Sequence, residues 1–153
     1  AVAFDTAWGG PKSVPFDRLV SWTKRPEEGI KFYSGTATYR LSFDLAEPLR
    51  QAGRPIHLDL GTVRNIAEVQ LNGKGLGTTW EAPWRVDIAG VVKPAGNVLE
   101  ITVINLWPNR LIGDAGLPKE KRLTTTNLAE LFKKDQPLLE SGLLGPVRLM
   151  TGD

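Results

Sequence analysis

The sequence contains no cysteine and a single histidine, His57. Disulfide bonds and thiol chemistry are therefore excluded, and a zinc site is disfavoured because its usual ligands are missing. A Ser-His-Asp triad would have to use His57, which lies inside an alternating strand pattern with no nucleophile elbow beside it. The composition therefore argues against a zinc enzyme, a thiol enzyme and a serine hydrolase.

Long hydrophobic runs and clusters of like charge are also absent. No apolar run approaches the roughly 18 residues that a membrane span requires, and the segment carries no recognisable signal peptide. The 19 basic residues are scattered and the formal net charge is only +2, so the pI near 9.0 reflects no basic stripe. We therefore expect neither a nucleic-acid partner nor a membrane partner.

The 153 residues, 41% of them hydrophobic, suit a single domain spanning residues 1–153 with a substantial core. Apolar and polar residues alternate in Thr36–Leu45, Ile56–Leu60, Ala67–Leu71 and Val98–Ile104, which predicts antiparallel strands with one buried face. The pattern predicts an all-β protein folded as a two-sheet jelly-roll β-sandwich.

Turn and helix signals complete this prediction. Asn72-Gly73 predicts a tight hairpin, because both central residues of such a turn need positive φ. Helical spacing predicts one short helix over Asn127–Lys134, and Ala46–Pro55 has room for one helical turn. Ser141–Met150 reads as a single closing strand.

Strand parity predicts where the loops lie. Short connections make consecutive strands antiparallel, so every second loop opens at the same pole of the sheet. The sequences 33–35, 61–65, 80–84 and 107–114 then share one pole, and we expect them to converge in a recess. The candidate ligand-binding residues on these loops are Tyr33, Arg64, Trp80, Glu81, Trp84, Trp107, Asn109, Arg110 and Asp114.

This residue set favours sugar recognition. A Trp ring offers an apolar platform to the C–H face of a pyranose, and amide, guanidinium and carboxylate groups serve its hydroxyls. Alternatives stay open: Trp107 could anchor its loop to the sandwich, and Arg110 with Asp114 could form an ion pair that only fixes the loop. Catalysis would need a carboxylate pair such as Glu81 with Asp114, which any all-β domain can offer by chance.

Several strings resemble the sugar-binding jelly-roll domain of glycoside hydrolase family 2. They are Ser34-Gly35-Thr36-Ala37-Thr38-Tyr39, Leu58-Asp59-Leu60-Gly61, Ala67-Glu68-Val69, Leu71-Asn72-Gly73-Lys74 and Pro83-Trp84-Arg85-Val86-Asp87-Ile88. The segments 105–114 and 141–147 are more similar to the accessory β-sandwich of family 106 type bacterial α-L-rhamnosidases. The resemblance extends over roughly residues 22–150. Pro83-Trp84 stands where many relatives have Pro-Phe or Pro-Tyr, which leaves the role of Trp84 open between core and platform.

The resemblance implies a non-catalytic carbohydrate-binding module of a multi-domain bacterial glycoside hydrolase. Its partners would be a plant-type polysaccharide, rhamnose-containing or pectic, and the catalytic domain of the parent enzyme, which would be secreted or periplasmic. A catalytic barrel of roughly 250 residues cannot fit beside this sandwich. The alternative is an interdomain-docking sandwich that binds no sugar itself. No cofactor is assigned, and calcium is left open because carbonyl-rich sites leave no sequence motif.

Overall fold

The computed structural model describes residues 1–49 and 55–151. Within these ranges the chain forms ten strands: β1 (Val2–Phe4), β2 (Thr36–Phe43), β3 (Ile56–Asp59), β4 (Thr62–Arg64), β5 (Ile66–Leu71), β6 (Lys74–Thr79), β7 (Arg85–Asp87), β8 (Asn97–Ile104), β9 (Gly142–Gly145) and β10 (Arg148–Thr151). The α-helices of this part are α1 (Glu28–Lys31) and α2 (Pro108–Ala115). Short 3₁₀ turns occupy Thr6–Trp8, Trp22–Lys24, Glu47–Leu49, Lys119–Lys121 and Ala129–Leu131. The predicted all-β fold is confirmed.

One layer of the sandwich is an antiparallel sheet in the order β1-β2-β8-β5-β6. Burial alternates along β8 and along most of β5, as the apolar alternation predicts for strands with one face on the core. The Asn72-Gly73 hairpin joins β5 to β6, with φ of 53° at Asn72 and 81° at Gly73. Both positive angles confirm the predicted tight turn.

The opposite layer consists of a three-stranded sheet, β10-β3-β7, and a two-stranded sheet, β4-β9. The single closing strand predicted for Ser141–Met150 is therefore wrong, because β9 and β10 belong to different sheets. Gly145 turns the chain with φ of 68°, and Pro146 cannot donate to a ladder. Buried residues of all three sheets join one core cluster.

An aromatic cluster closes this core. Phe4, Trp22 and Tyr33 meet edge to face, with ring centroids 4.9 to 5.6 Å apart. Trp22 and Tyr33 are fully buried, and the Trp22 indole N–H donates to the Tyr39 hydroxyl at 2.6 Å. Gly142 passes so close that a Cβ there would overlap the Trp22 ring. Trp22 is thus a core residue.

The helices differ from those expected. The segment 127–134 forms only the 3₁₀ turn Ala129–Leu131. The Gln136 side chain accepts from the Lys133 amide at 2.8 Å and donates to the Leu131 carbonyl at 3.0 Å, so it competes for groups that a helix would pair. In contrast, the predicted loop 107–114 is mostly helix α2, with Pro108 at its first position. Of the helical turn predicted for 46–55, the 3₁₀ turn Glu47–Leu49 is observed, and residues 50–54 lie outside the described residues.

Candidate functional site

The strand register places the predicted loops at one pole. Thr36 of β2 and Ile66 of β5 both pair with Ile104 at the end of β8. Thr79, the last residue of β6, pairs with Ala67 at the start of β5. The loops that precede β2 and β5 and that follow β6 and β8 therefore open at the same end of the five-stranded sheet, as parity predicts.

The loops are nevertheless spread along this pole, which corrects the expectation of one shared recess. Trp80 follows β6 at the edge of the sheet. Trp107 lies near the start of β2, because its carbonyl accepts a hydrogen bond from Ser34 Oγ at 3.2 Å. Strands β2 and β6 are three strand spacings apart, which is roughly 14 Å at about 4.8 Å each. The alternation of strand directions determines at which end of the sheet a loop opens. It does not determine where the loop lies along that end.

The loop between β6 and β7 is exposed at its tip and packed at its base. Trp80 is 66% exposed and Glu81 is exposed. Trp84 is half-buried against the core cluster, and its carbonyl accepts from the Leu60 amide at 2.8 Å. Trp84 thus packs on the sandwich, whereas Trp80 is free to contact a ligand.

Asp59 supports the base of this loop. Its carboxylate accepts from the Gly61 amide at 2.8 Å and from Arg85 Nε at 3.0 Å. The backbone hydrogen bond from Gly61 and then the bond from Arg85 hold the pKa of Asp59 below its ordinary value. The arrangement fixes strands β3 and β7 together next to Trp84.

Asn109 is a structural residue of helix α2. It is 1% exposed, and its amide Nδ2 donates to the Leu139 carbonyl at 2.7 Å and to Ser141 Oγ at 2.8 Å. Its Oδ1 accepts from the Leu139 amide at 2.8 Å. Every group that could hold a sugar hydroxyl is engaged or buried, so we remove Asn109 from the ligand-binding set.

Arg110 and Asp114 form a buried ion pair across one turn of α2. The distance from Arg110 Nε to Asp114 Oδ1 is 3.2 Å, with side-chain exposures of 8% and 4%. The second carboxylate oxygen of Asp114 accepts from the Leu123 amide, the Thr124 amide and the Thr124 hydroxyl at 3.1, 2.8 and 2.6 Å. The expectation that this pair contacts a ligand directly is corrected by its burial. The carboxylate instead holds residues 123–124 beside the helix, so the pair has a positioning role.

Tyr33 also leaves the proposed site, whereas a ligand contact by Arg64 stays a prediction. Tyr33 is fully buried; its hydroxyl accepts from the Asp5 amide at 3.0 Å and donates to the Thr36 carbonyl at 2.7 Å. Burial raises the pKa of this phenol above its ordinary value. Arg64 is half-buried at the end of β4, opposite Gly142, and donates to the neighbouring Val63 carbonyl at 3.5 Å.

Two adjoining cavities lie beside helix α2, with volumes of about 500 and 420 Å³. Leu111 and the run Thr124–Thr126 line both of them, and we call the pair the α2 groove. The smaller cavity is completed by Trp8, Trp107 and Leu123, and the larger one by Asp114, Ala115, Lys119, Arg122, Ala129, Glu130 and Phe132. Volumes in this range are typical of small-molecule sites.

Trp8 and Trp107 form the aromatic end of the α2 groove. Their rings meet edge to face at 5.2 Å between centroids and 81° between planes. Trp107 is 50% exposed and Trp8 is half-buried. Among the predicted residues, Trp107 and Asp114 line the groove, whereas Trp80, Glu81 and Trp84 do not.

Sequence reasoning did not find Trp8 or the threonines as site residues. Trp8 lies in a Gly- and Pro-rich region, where a core or edge role is the commoner interpretation. The triplet Thr124-Thr125-Thr126 was the available signal, since three adjacent hydroxyls in an otherwise charged loop are unusual. Only the fold brings them within reach of Trp107.

Within residues 1–49 and 55–151 no group of three His, Asp or Glu side chains could hold a metal ion. Calcium bound mainly by backbone carbonyls stays unassigned. In the same part of the chain no helix is long and apolar enough to cross a membrane.

Comparison with known proteins assigns the family. The family described as glycosyl hydrolase 2 galactose-binding domain-like matches residues 23–127. The chain belongs to this family. The resemblance to its sugar-binding jelly roll is therefore confirmed.

Individual relatives are much longer than this chain. A Formosa agariphila protein provisionally named β-glucuronidase is 42% identical, over 89% of this chain and 14% of its own length. The structure of a rhamnosidase from Novosphingobium sp. PP1Y matches 97% of this chain and 14% of that one, with 42% identity and a TM-score of 0.88. A Ruminococcus gnavus β-glucuronidase shares the fold, with 20% identity and a TM-score of 0.54 over 68% of this chain and 20% of its own. The chain thus spans about one seventh of the two relatives that are 42% identical to it.

Proposed function

We propose that this galactose-binding-like domain is a non-catalytic carbohydrate-binding module of a multi-domain glycoside hydrolase, and that it binds sugar in the α2 groove. The observation that carries the proposal is the Trp8–Trp107 pair, which lines a cavity of about 420 Å³ together with three threonines. The family membership supports the same conclusion.

The groove offers the chemistry that a pyranose requires. The edge-to-face Trp pair presents a half-exposed indole surface for the C–H face of a sugar ring. Thr124–Thr126 line the groove with hydroxyls. The Thr124 hydroxyl donates to Asp114 and keeps acceptor capacity, and the Thr126 hydroxyl accepts from the Leu128 amide and keeps its proton to donate. At the other end, Lys119 and Arg122 add cationic donors to the lining, which also includes Glu130. A rhamnose- or uronate-containing polysaccharide fits both this donor set and the names of the relatives.

The carboxylates of the groove favour binding over hydrolysis. Glycoside hydrolysis uses two carboxyl groups on either side of the scissile bond. Asp114 lines the groove but is only 3% exposed; one of its oxygens is ion-paired with Arg110, and the other accepts three hydrogen bonds from residues 123–124. Glu81 lines neither cavity, so Glu130 would have no free carboxylate partner there.

The module would act by proximity. One open site buries little ligand and binds weakly, but tethering a catalytic domain to its polymer raises the effective substrate concentration. This role suits a secreted or periplasmic parent enzyme, because such an enzyme contacts plant-type polysaccharide outside the cytoplasm.

The test compares two exposed tryptophans at the same pole. We expect Trp107→Ala to weaken binding by about tenfold or more, a loss of ~1.4 kcal/mol, in calorimetric titrations with rhamnose- and uronate-containing oligosaccharides. Trp80→Ala is the matched control, because Trp80 is 66% exposed and lies outside the groove. Both variants should unfold at nearly the wild-type temperature.

Two results would contradict the proposal. If the wild-type chain binds no sugar of the panel, the proposed carbohydrate-binding function is wrong. Loss of binding with Trp80→Ala but not with Trp107→Ala would move the site to the loop between β6 and β7.

A further inference from the structure

The larger cavity of the α2 groove carries an excess of positive charge. Lys119, Arg122, Glu130 and Asp114 are the charged residues of its described lining. Asp114 is already paired with Arg110, so these two charges cancel. Two positive charges and one negative charge remain, which leaves the lining with a net charge of +1. We call the part formed by Lys119 and Arg122 the cationic end of the groove.

Arg122 is anchored beside the cavity. Its Nε donates to the Leu117 carbonyl at 2.9 Å, and its backbone amide donates to the Lys119 carbonyl at 3.3 Å. The next two amides in the chain donate to the buried carboxylate of Asp114. These bonds hold the backbone on both sides of Arg122, and the bond from Nε restrains its guanidinium. A restrained side chain loses less conformational entropy when it binds a ligand.

The two cations have no acidic partner in the part of the chain that the structure describes. The ion pairs there join Arg25 to Glu27, Arg40 to Glu100, Arg85 to Asp59 and Arg110 to Asp114. Among the same residues, Nη1 and Nη2 of Arg122 donate no hydrogen bond. A carboxylate can accept two parallel hydrogen bonds from such a fork, and charge-assisted bonds of this kind are stronger than bonds between neutral groups.

We propose that the cationic end is a subsite for the carboxylate of a uronic acid residue, and that the groove therefore selects acidic over neutral oligosaccharides. This inference rests on the proposed binding of sugar in the α2 groove. Leu111 and Thr124–Thr126 line both cavities, so one continuous surface runs from Trp107 to Arg122. A neutral sugar residue stacks on Trp107, and the carboxylate of a uronate in the adjoining cavity accepts from Arg122 and Lys119.

The charge balance limits the kind of anion that fits. Glu130 lines the same cavity and opposes a second negative charge nearby. A polyanion such as a nucleic acid would need many more cations than the two present here. The cationic end therefore suits one carboxylate on a sugar that also carries hydroxyls, and Glu130 can accept from those hydroxyls.

The test uses two ligands that differ in a single group. One is a rhamnose–glucuronate disaccharide, and the other is the same disaccharide with its carboxyl group reduced to a primary alcohol. In calorimetric titrations we expect the 153-residue chain to bind the acidic form about tenfold more tightly. The preference should shrink in roughly 0.5 M sodium chloride, because salt screens exposed charges.

Arg122→Gln should lower the affinity for the acidic disaccharide by about tenfold and that for the neutral form by about twofold or less, so the preference largely disappears. Lys121→Gln is the matched control. It removes one positive charge from the neighbouring exposed position, and Lys121 does not line the groove. This variant should keep the preference, which separates direct contact from an effect of net charge.

The outcomes distinguish this inference from the sugar binding on which it rests. If the wild-type chain binds both forms equally and Trp107→Ala weakens both, the groove binds sugar but the carboxylate subsite is wrong. The same conclusion follows if Arg122→Gln keeps the preference, or if Lys121→Gln loses it to the same extent. If neither disaccharide binds, the proposed function fails and the subsite fails with it.

Discussion

The buried Arg110–Asp114 pair gives the sharpest test of the structure. We consider Asp114→Asn, Arg110→Met and the double variant. Asparagine keeps one side-chain oxygen for the amides of Leu123 and Thr124, so Asp114→Asn removes the charge with little change in shape. Methionine replaces the guanidinium by an apolar chain of similar length.

The expected costs are unequal. Asp114→Asn leaves the Arg110 guanidinium without a counterion at 8% side-chain exposure, and arginine cannot lose its proton. Removing one partner of a buried pair costs about 3–5 kcal/mol. Arg110→Met leaves a carboxylate that still accepts three hydrogen bonds, and we expect about 1–3 kcal/mol. The double variant buries no charge and should lose less than the sum of the two single variants.

Urea denaturation of the four proteins measures these free energies. With m of about 2 kcal/mol/M, Asp114→Asn should lower the unfolding midpoint by roughly 1.5–2.5 M at an unchanged m. The coupling free energy from the double-mutant cycle should reach ~2 kcal/mol or more. A cost below ~1 kcal/mol for Asp114→Asn, or strictly additive single effects, would show that the pair is solvated and that the described packing of α2 is incorrect.

Two further predictions concern the sandwich. Gly142→Ala should cost about 2–4 kcal/mol in thermal or urea unfolding, because Gly142 has φ of 99° and an added Cβ would overlap Trp22. Gly75→Ala is its control and should change stability by less than ~0.5 kcal/mol, since an added Cβ there meets no atom within 4 Å; equal losses would contradict the close approach. Because its folded-state pKa is lowered, Asp59 contributes stability above its ordinary pKa of about 3.9, and this is lost as the pH falls through the folded value. The stability difference between wild type and Asp59→Asn should therefore narrow below about pH 4, and a difference that stays constant down to pH 2 would refute the Gly61 and Arg85 contacts.

The sequence was sufficient for strands β2, β3, β5 and β8 and for the pole at which the predicted loops open. The alternation of apolar and polar residues in 56–60, 67–71 and 98–104 indicates that each strand has one buried face. This alternation is a local property of each strand. Asn72-Gly73 needs only its own backbone angles to form a hairpin. Since strand direction alternates with each short connection, the pole follows from local information as well.

Tertiary structure decided which polar residues belong to the site. Asn109 and Asp114 resemble ligand-binding residues in the sequence, because their partners at 139–141 and 123–124 cannot be identified by spacing. The spacing of Arg110 and Asp114 allowed an ion pair, but only the fold shows that the pair is buried. The α2 groove joins Trp8 to Trp107 and to Thr124–Thr126, far apart in the chain. Burial and long-range hydrogen bonding depend on how the layers pack, so only the folded chain separates a polar side chain that holds a loop from one that is free to hold a sugar.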